Sequence, residues 1–215
     1  MASRLVVAAT RNELACHPHF PGGAPRVAVP WALWRTPHAY FLECGPGPAL
    51  AGAALAWALS QGGFASVLGI GIAGAFPESG LSVGEAVWLA WDSFADLGAE
   101  NGGDWLDFPD LGLSGLPLEN CFRLKLPEGV SGVGGTTASA VTGSAETAHR
   151  RRSRTRADVE TMEGAAWALV CQRFGIPLSQ ARGISNLVGL RNRESWQIPE
   201  ALRALGRLVS DRLMS

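Results

Sequence analysis

A glycine-rich apolar segment near the middle of the chain places the strongest constraint on the fold. Residues 67–74 have the sequence Val-Leu-Gly-Ile-Gly-Ile-Ala-Gly, an apolar run typical of a buried strand. The segment contains Gly-x-Gly-x-x-Gly, which in dinucleotide-binding folds ends a strand and opens a helix. Here the turn-rich sequence Ala-Phe-Pro-Glu-Ser-Gly follows at 75–80, which argues against a helix and against a dinucleotide site. We expect the glycines to let other chain segments approach the strand closely.

Strand-like and helix-like patterns alternate along the chain. Patterns typical of strands, in part with a turn, lie at 5–9, 27–29, 40–44, 67–74, 83–91, 130–140 and 178–184. Patterns typical of helices lie at 49–61, 162–174 and 198–213. In 215 residues, this alternation predicts one three-layer α/β/α domain over 1–215 with a mostly parallel central sheet. The Gly-, Pro- and Leu-rich stretch 101–128 is interpreted as a long loop and a candidate lid.

The composition indicates which binding partners and which cellular compartment to expect. A net charge of −1 with 17% charged residues provides no field for nucleic acid or a membrane surface. The chain starts without a signal-peptide pattern, and its longest apolar stretch is too short to cross a bilayer. Its four scattered cysteines form no Cys-x-x-Cys pair, as expected of reduced thiols. We expect a cytoplasmic protein without a cofactor, and 47% hydrophobic content is compatible with a homo-oligomer of two or more chains.

Two clusters of polar side chains are interpreted as having no binding role. His17 and His19 have the spacing of a metal-ligand pair, but no third ligand follows at a suitable distance in the sequence. We therefore interpret them as loop residues and expect no metal site. The basic run at 149–156 is interpreted as the solvated end of a helix rather than a polyanion site, because the overall charge is near zero.

Two glutamates stand at positions that favour chemistry. Glu13 follows the first strand, and the carboxyl ends of strands form the ligand-binding edge of α/β proteins. It is a candidate general base, with a solvated turn residue as the alternative. Glu163 is predicted in the first turn of a helix that ends at Gly175, where backbone N–H groups and the helix dipole lower a carboxyl pKa. We expect Glu163 to be a firm anion that accepts hydrogen bonds from hydroxyls, or else a helix-start acid without function.

This ordered set of residues resembles the nucleoside phosphorylase and nucleoside hydrolase superfamily over nearly the whole chain. The matching positions are Glu13, the strand at 69–74, Met162, Glu163, Ser185 and Asn186. The resemblance implies a mixed central sheet and a small-molecule nucleoside substrate whose ribosyl C–N bond is cleaved. It also implies that Glu13 is the base, that Met162 packs on the ribose, and that Glu163 takes the ribose hydroxyls. Ser185 and Asn186 then lie at the purine.

Two further features are similar to the futalosine hydrolase branch of that superfamily. They are the sequence Ala-Asp-Leu-Gly-Ala-Glu at 95–100 and one extra residue between Glu160 and Met162. The similarity implies an N-ribosyl hydrolase that releases hypoxanthine from futalosine in menaquinone biosynthesis. The alternatives are a methylthioadenosine-type nucleosidase, a purine nucleoside phosphorylase, and a nucleoside-binding module without activity.

The sequence favours water over phosphate as the nucleophile. Phosphorylases of the superfamily hold phosphate with a glycine-rich turn that is Gly-Pro-Gly-Pro at 45–48 here, and proline has no N–H to donate. Many relatives have a serine where this chain has Ile72, and that serine helps hold phosphate or water. We expect Ile72, Ala73 and Gly74 to approach the nucleoside through their backbone.

The C-terminal third supplies the candidates for substrate recognition. Arg182 lies on a predicted strand and is expected to hold the water or Glu163. The amide of Asn186 can donate to a 6-oxo group and accept from N7–H, which predicts hypoxanthine release in preference to adenine. The alternative is that Asn186 only ties down its own loop. Arg191 and Arg193 are candidates to bind the carboxylate arm of futalosine, or else solvated loop residues.

The residue that stacks on the purine is not evident from the sequence. In adenosine-type relatives an aromatic residue near the turn after the 130–140 strand has this role. This chain has Glu146 and Thr147 there, so we expect stacking from another part of the chain.

Overall fold

The computed structural model describes residues 3–102, 104–112 and 119–211, and a mixed β-sheet flanked by helices dominates this part of the chain. The strands are β1 (Ser3–Ala8), β2 (Ala32–Arg35), β3 (Ala39–Glu43), β4 (Phe64–Ala75), β5 (Ala86–Phe94), β6 (Gly98–Asn101), β7 (Asp104–Asp107), β8 (Cys121–Arg123), β9 (Val133–Thr137), β10 (Val159–Thr161) and β11 (Leu178–Leu187). The helices are α1 (Arg11–Leu14), α2 (Pro48–Ser60), α3 (Ala145–Thr155), α4 (Gly164–Phe174) and α5 (Ile198–Asp211). Short 3₁₀ turns occur at Pro77–Ser79, Phe108–Leu111 and Arg193–Ser195.

The main sheet has the strand order β10-β9-β5-β11-β4-β1-β3-β2, with β8 added beside β5. Strand β4 pairs in parallel with both β1 and β11, whereas β11 and β5 are antiparallel. Strand β10 also pairs with β4, so that β4, β11, β5, β9 and β10 form a closed ring. The predicted α/β class and mixed sheet are confirmed.

Both faces of the central strands are covered. Along β1, Leu5 and Val7 contact the cluster formed with α2 and α4, whereas Val6 and Ala8 contact the cluster that includes α5. Successive side chains of a strand point to opposite faces, so a strand buried on both sides is a continuous apolar run. Within the described residues, no helix has the length and apolarity that a bilayer crossing requires.

The glycines of β4 have the predicted use. A Cβ added to Gly69 would lie 2.8 Å from the Trp167 ring, and one added to Gly74 would lie 2.9 Å from Val188. Real Cβ atoms do not tolerate such distances. These glycines therefore allow α4 and the end of β11 to pack directly on the β4 backbone.

Two sequence-based assignments were wrong in the described region. The strand expected at 27–29 lies instead at Ala32–Arg35, and Val27 makes only an isolated bridge to Leu33. The neighbouring Pro30 has no N–H for a ladder. The stretch 101–128 contains regular structure, namely the β6–β7 hairpin, a 3₁₀ turn and β8, although 103 and 113–118 lie outside the described residues.

Candidate active site

A cavity of about 430 Å³ opens where β1, β4 and β11 end. Most of the residues predicted from the sequence line it: Glu13, Ile72, Ala73, Gly74, Met162, Glu163, Ser185, Asn186 and Arg193. Parallel strands bring their carboxyl ends to one edge of a sheet, where ligands bind in α/β folds. The short β10 joins the same edge because it pairs with Gly74 and Ala75.

Glu13 is fixed in the first turn after β1. Thr10 caps α1, and the Glu13 side chain completes a capping box. Its Oε2 accepts hydrogen bonds from Thr10 N (2.9 Å) and Thr10 Oγ1 (2.7 Å), and its Oε1 accepts one from Ile72 N (3.0 Å). The residue is only 7% exposed. These hydrogen bonds hold the carboxylate in a fixed orientation at the cavity wall.

Arg182 lies behind the cavity with no solvent exposure. Its Nη1 is 3.5 Å from Glu163 Oε2, its Nη2 donates to Gln180 Oε1 at 3.0 Å, and the guanidinium lies 4.8 Å from the Trp167 ring centroid. A Cβ on Gly71 would lie 2.6 Å from Arg182 Nη1 and 2.8 Å from Glu13 Oε1. Gly71 therefore leaves room for both side chains, and the recorded ion pair of Arg182 is the one with Glu163.

The position and the pKa of Glu163 differ from the prediction. Helix α4 begins at Gly164, so Met162 and Glu163 precede its first turn, and Glu163 makes no capping hydrogen bond to the helix. The pairing of β10 keeps the chain extended through Thr161. Burial raises the pKa of Glu163, while Arg182 and the N–H of Gly47 oppose that shift. The expected lowering was wrong in direction because desolvation dominates at 5% exposure.

The N–H that Glu163 accepts comes from a distant part of the sequence. Gly47 is the N-cap of α2, and its N–H donates to Glu163 Oε1 at 3.1 Å. With Arg182 near Oε2, both carboxylate oxygens are oriented. Glu163 is therefore anchored between the glycine-proline turn and β11, with its remaining lone pairs available at the cavity.

Asn186 lies at the cavity and also ties down its own loop. The ladder of β11 with β4 shifts register between Ile184 and Asn186, and such a bulge re-aims side chains. Ser185 Oγ donates to Asn186 Oδ1 (2.8 Å), and Asn186 Nδ2 donates to Leu187 O (3.0 Å). A backbone carbonyl only accepts, so this contact fixes which end of the amide is Nδ2. The two interpretations of Asn186 are therefore not mutually exclusive.

The two arginines proposed to bind the carboxylate arm differ in their position relative to the cavity. Both Arg191 and Arg193 are exposed, but only Arg193 lines the cavity. Side chains that are close in the sequence of an irregular segment can point in different directions. The sequence therefore could not show that only one of the two arginines reaches the cavity. Arg191 is not brought to the site.

Sequence reasoning missed several residues of the cavity wall. Trp196, just before α5, is the one aromatic side chain among the described residues that line the cavity. The sequence feature that could have indicated it is its position beside the apolar start of the C-terminal helix. Glu160 accepts hydrogen bonds from Thr142 N (2.9 Å) and Arg151 Nη1 (2.8 Å). Arg151 belongs to the basic run, yet its side chain is only 11% exposed. The interpretation of that run as a solvated helix end was wrong for Arg151.

The two histidines near the start of the chain differ in burial, since His19 is exposed and His17 is packed inside. The His17 ring is 3% exposed and lies edge-on to Phe41, with 5.1 Å between centroids. Burial and the neighbouring His19 and Arg4 lower the pKa of His17 to about 4. His17 lies in a loop, as expected, and its ring is neutral and buried.

Comparison with known proteins agrees with this geometry. A family model described as the Phosphorylase superfamily matches residues 32–213. The futalosine hydrolase of Thermus thermophilus is 34% identical over 213 residues, which cover 95% of this chain and 92% of that protein. The chain belongs to the futalosine hydrolase family of the phosphorylase superfamily.

Further relatives of this family extend the match. The futalosine hydrolase of Streptomyces coelicolor is 37% identical over 200 residues, covering 86% of this chain and 84% of that protein. The solved structure of Helicobacter pylori futalosine hydrolase has a TM-score of 0.79 at 15% identity and covers 100% of this chain and 98% of that one. At that identity the structural likeness shows the fold alone. The predicted family resemblance is confirmed.

Proposed function

We propose that this chain hydrolyses the N-ribosyl bond of futalosine and releases hypoxanthine. One observation carries the proposal: two buried carboxylates, Glu13 and Glu163, line one cavity, and the buried Arg182 behind it lies 3.5 Å from Glu163. A hydrolase of this type must activate water and orient a ribose. The similarity to futalosine hydrolases over most of the chain supports the choice of substrate.

In this proposal Glu13 is the general base. Its oxygens are held by Thr10 and Ile72, so the carboxylate needs no reorganisation to accept a proton. Water oxygen bonds to C1′ of the ribose while the C1′–N bond to the purine breaks through an oxocarbenium-like state. One water proton passes to Glu13 and the other stays on the new C1′ hydroxyl. The electron pair of the broken bond leaves with the purine, which takes a proton at a ring nitrogen from solvent water, and Glu13 later returns its proton to solvent.

Glu163 and Met162 hold the ribose. The Glu163 carboxylate is fixed on one side by Gly47 N–H and on the other by Arg182, which leaves lone pairs to accept from two ribose hydroxyls. Met162 provides an apolar surface for the sugar ring. Such contacts position C1′ near the attacking water.

The contacts around the 45–48 turn support water over phosphate. Pro46 and Pro48 have no N–H, and the N–H of Gly47 is already donated to Glu163. The N–H of Ile72 is donated to Glu13. A phosphate ion here needs donors, and the donors of this turn and of Ile72 are absent or engaged.

The choice of hypoxanthine is supported by Asn186, whose amide offers a donor to a 6-oxo group and an acceptor to N7–H. We further place the reaction in menaquinone biosynthesis in the cytoplasm, as the family implies, and in a homo-oligomer. Leu187 and Leu190 are 52% and 83% exposed beside the site, and exposed apolar side chains of this size favour a contact with another chain.

The test is direct. The purified chain is incubated with futalosine, inosine and methylthioadenosine, each with and without phosphate, and the released base and sugar are identified. We expect hypoxanthine and a free sugar from futalosine at a rate independent of phosphate. Adenine release from methylthioadenosine as the faster reaction, or a ribose 1-phosphate product, would overturn the proposal.

A further inference from the structure

A buried aspartate lies next to the site without lining its cavity. Asp92 is on β5 and has no solvent exposure. Its Oδ1 accepts a hydrogen bond from Thr137 Oγ1 at 3.0 Å. Its Oδ2 has no hydrogen-bond partner within the described residues. A buried polar atom without a partner is costly, so this oxygen requires an explanation.

Asp92 Oδ2 and the Gln180 side-chain oxygen both lie beside Gly164. A Cβ on Gly164 would collide with Asp92 Oδ2 and would lie 2.6 Å from Gln180 Oε1. The Gln180 amide is oriented by its other contacts. Arg182 Nη2, which can only donate, faces Oε1 (3.0 Å), and Nε2 donates to Gly164 O (3.0 Å). A hydrogen bond between the two oxygens therefore requires a proton on Asp92.

This pair of oxygens is connected to the active site. Gln180 Oε1 accepts from Arg182, whose Nη1 lies 3.5 Å from Glu163. Gly164, which accepts from the same amide, directly follows Glu163 in the chain. Asp92 thus contacts the group that orients Arg182 and the peptide that follows Glu163.

The surroundings of Asp92 favour its neutral form. Burial raises the pKa of Asp92 to about 7, against the opposing effects of Arg182, the Thr137 hydroxyl and the Ser93 backbone, and Glu163 adds to the rise. The charged or titratable groups that face it are Arg182 on β11, Glu163 before α4 and the Cys121 thiol on β8. Strand β9 contributes the hydroxyl of Thr137.

We propose that Asp92 is a positioning residue that acts as a neutral acid: its O–H donates to Gln180 Oε1 and keeps Arg182 directed toward Glu163. Loss of the proton places a carboxylate beside Gln180 Oε1, which repels that oxygen and attracts the Arg182 guanidinium away from Glu163. The ribose site then weakens as the pH rises. The kinetic part of this inference rests on the proposed hydrolysis.

The kinetic test compares wild type with Asp92→Asn, Asp92→Ala and the exposed control Asp211→Asn over pH 5–9, using futalosine. The amide of asparagine retains a permanent donor to Gln180 Oε1. We expect Asp92→Asn to match wild type near pH 6 and to lack the decline in kcat/KM that wild type and Asp211→Asn show at higher pH. Asp92→Ala loses the donor, so its kcat/KM near pH 6 should be about tenfold or more below that of wild type, from the cost of an unpaired buried group, and it should show no further decline at higher pH.

A second measurement does not depend on activity. Wild-type protein labelled with ¹³C at the aspartate carboxyl carbon is titrated by infrared spectroscopy, which separates aspartate from glutamate bands. We expect a protonated aspartate carbonyl band at pH 6 that disappears on titration toward pH 9. Wild type that releases no base from any nucleoside overturns the proposed function, while the infrared titration still decides on Asp92. Absence of that band, or an unchanged alkaline decline in folded Asp92→Asn, overturns the inference.

Discussion

Replacing Glu13 by glutamine tests the base and its hydrogen-bond frame in one variant. The wild-type carboxylate accepts from three donors, namely Thr10 N, Thr10 Oγ1 and Ile72 N. Glutamine converts one acceptor oxygen into an NH₂ group. The Thr10 hydroxyl can rotate to accept from that group, but the two backbone N–H groups cannot. Either orientation of the amide therefore leaves one of these N–H groups facing another donor.

The magnitude of both effects follows from these contacts. One unsatisfied N–H at a site that is 7% exposed should lower the free energy of unfolding by about 1–3 kcal/mol. Loss of a general base lowers kcat by about 10²–10⁴. In a domain of this size, that loss of unfolding free energy lowers Tm by only a few degrees. The variant should therefore stay folded at assay temperature while it loses most of its turnover.

Hypoxanthine release from futalosine measures the turnover, and thermal denaturation measures the stability. Glu43→Gln is the matched control, because Glu43 also accepts a backbone N–H, that of Arg11 at 3.1 Å, but does not line the cavity. We expect the control to keep wild-type kcat. Wild-type turnover in Glu13→Gln would refute the assignment of the base, and an unchanged Tm would refute the account of its hydrogen bonds.

Three further changes test other residues of the site. Asn186→Asp should shift preference toward 6-amino purine nucleosides, measured as the ratio of kcat/KM for futalosine and methylthioadenosine, and an unchanged ratio would show that Asn186 does not contact the base. Arg193→Ala should raise KM for futalosine while Arg191→Ala leaves it unchanged, because of the two only Arg193 lines the cavity. A wild-type KM in both variants would exclude a contact of either arginine with the carboxylate arm. The pKa of Asp92 is about 7 in the folded protein against an ordinary value of 3.8, so wild type should lose about 4 kcal/mol of stability as the pH rises from below 3.8 to above 7. Asp92→Asn should not show this loss, because asparagine does not titrate. Urea unfolding of both proteins at pH 4 and pH 8 measures it, and parallel pH dependences would contradict the buried neutral acid.

The sequence was sufficient for those features of the fold that depend on local pattern. The strand at 67–74 was predicted because glycine and apolar residues in that order suit a strand on which other segments pack, and Gly69 and Gly74 have this role. The helix predicted at 49–61 is observed at Pro48–Ser60, since proline favours a first turn. In contrast, the position of β2 depends on which residues meet β3, and the pattern at 27–29 does not contain that information.

The site residues show the same division. The segment 158–166 indicated Glu163 by its order of residues, but its pKa depends on Gly47 and Arg182, which lie far away in the sequence. Likewise, Arg151 is one of several arginines in a basic run, and only the fold brings it to Glu160. Desolvation and long-range contacts are properties of the packed chain, so local helix-dipole reasoning gave the wrong direction for Glu163.

Three buried carboxyl groups lie in the region of Arg182, and their surroundings differ in how well they stabilise a negative charge. One guanidinium cannot balance Glu13, Glu163 and Asp92 together, and an unpaired buried charge is expensive. Glu13 accepts hydrogen bonds from three donors, and Glu163 has the Gly47 N–H and the ion pair with Arg182. Asp92 is stabilised by the Thr137 hydroxyl and the Ser93 backbone, but its Oδ2 has no donor within the described residues and lies near an acceptor. In our proposal this carboxyl is the one that retains its proton, which leaves Arg182 to its ion pair with Glu163.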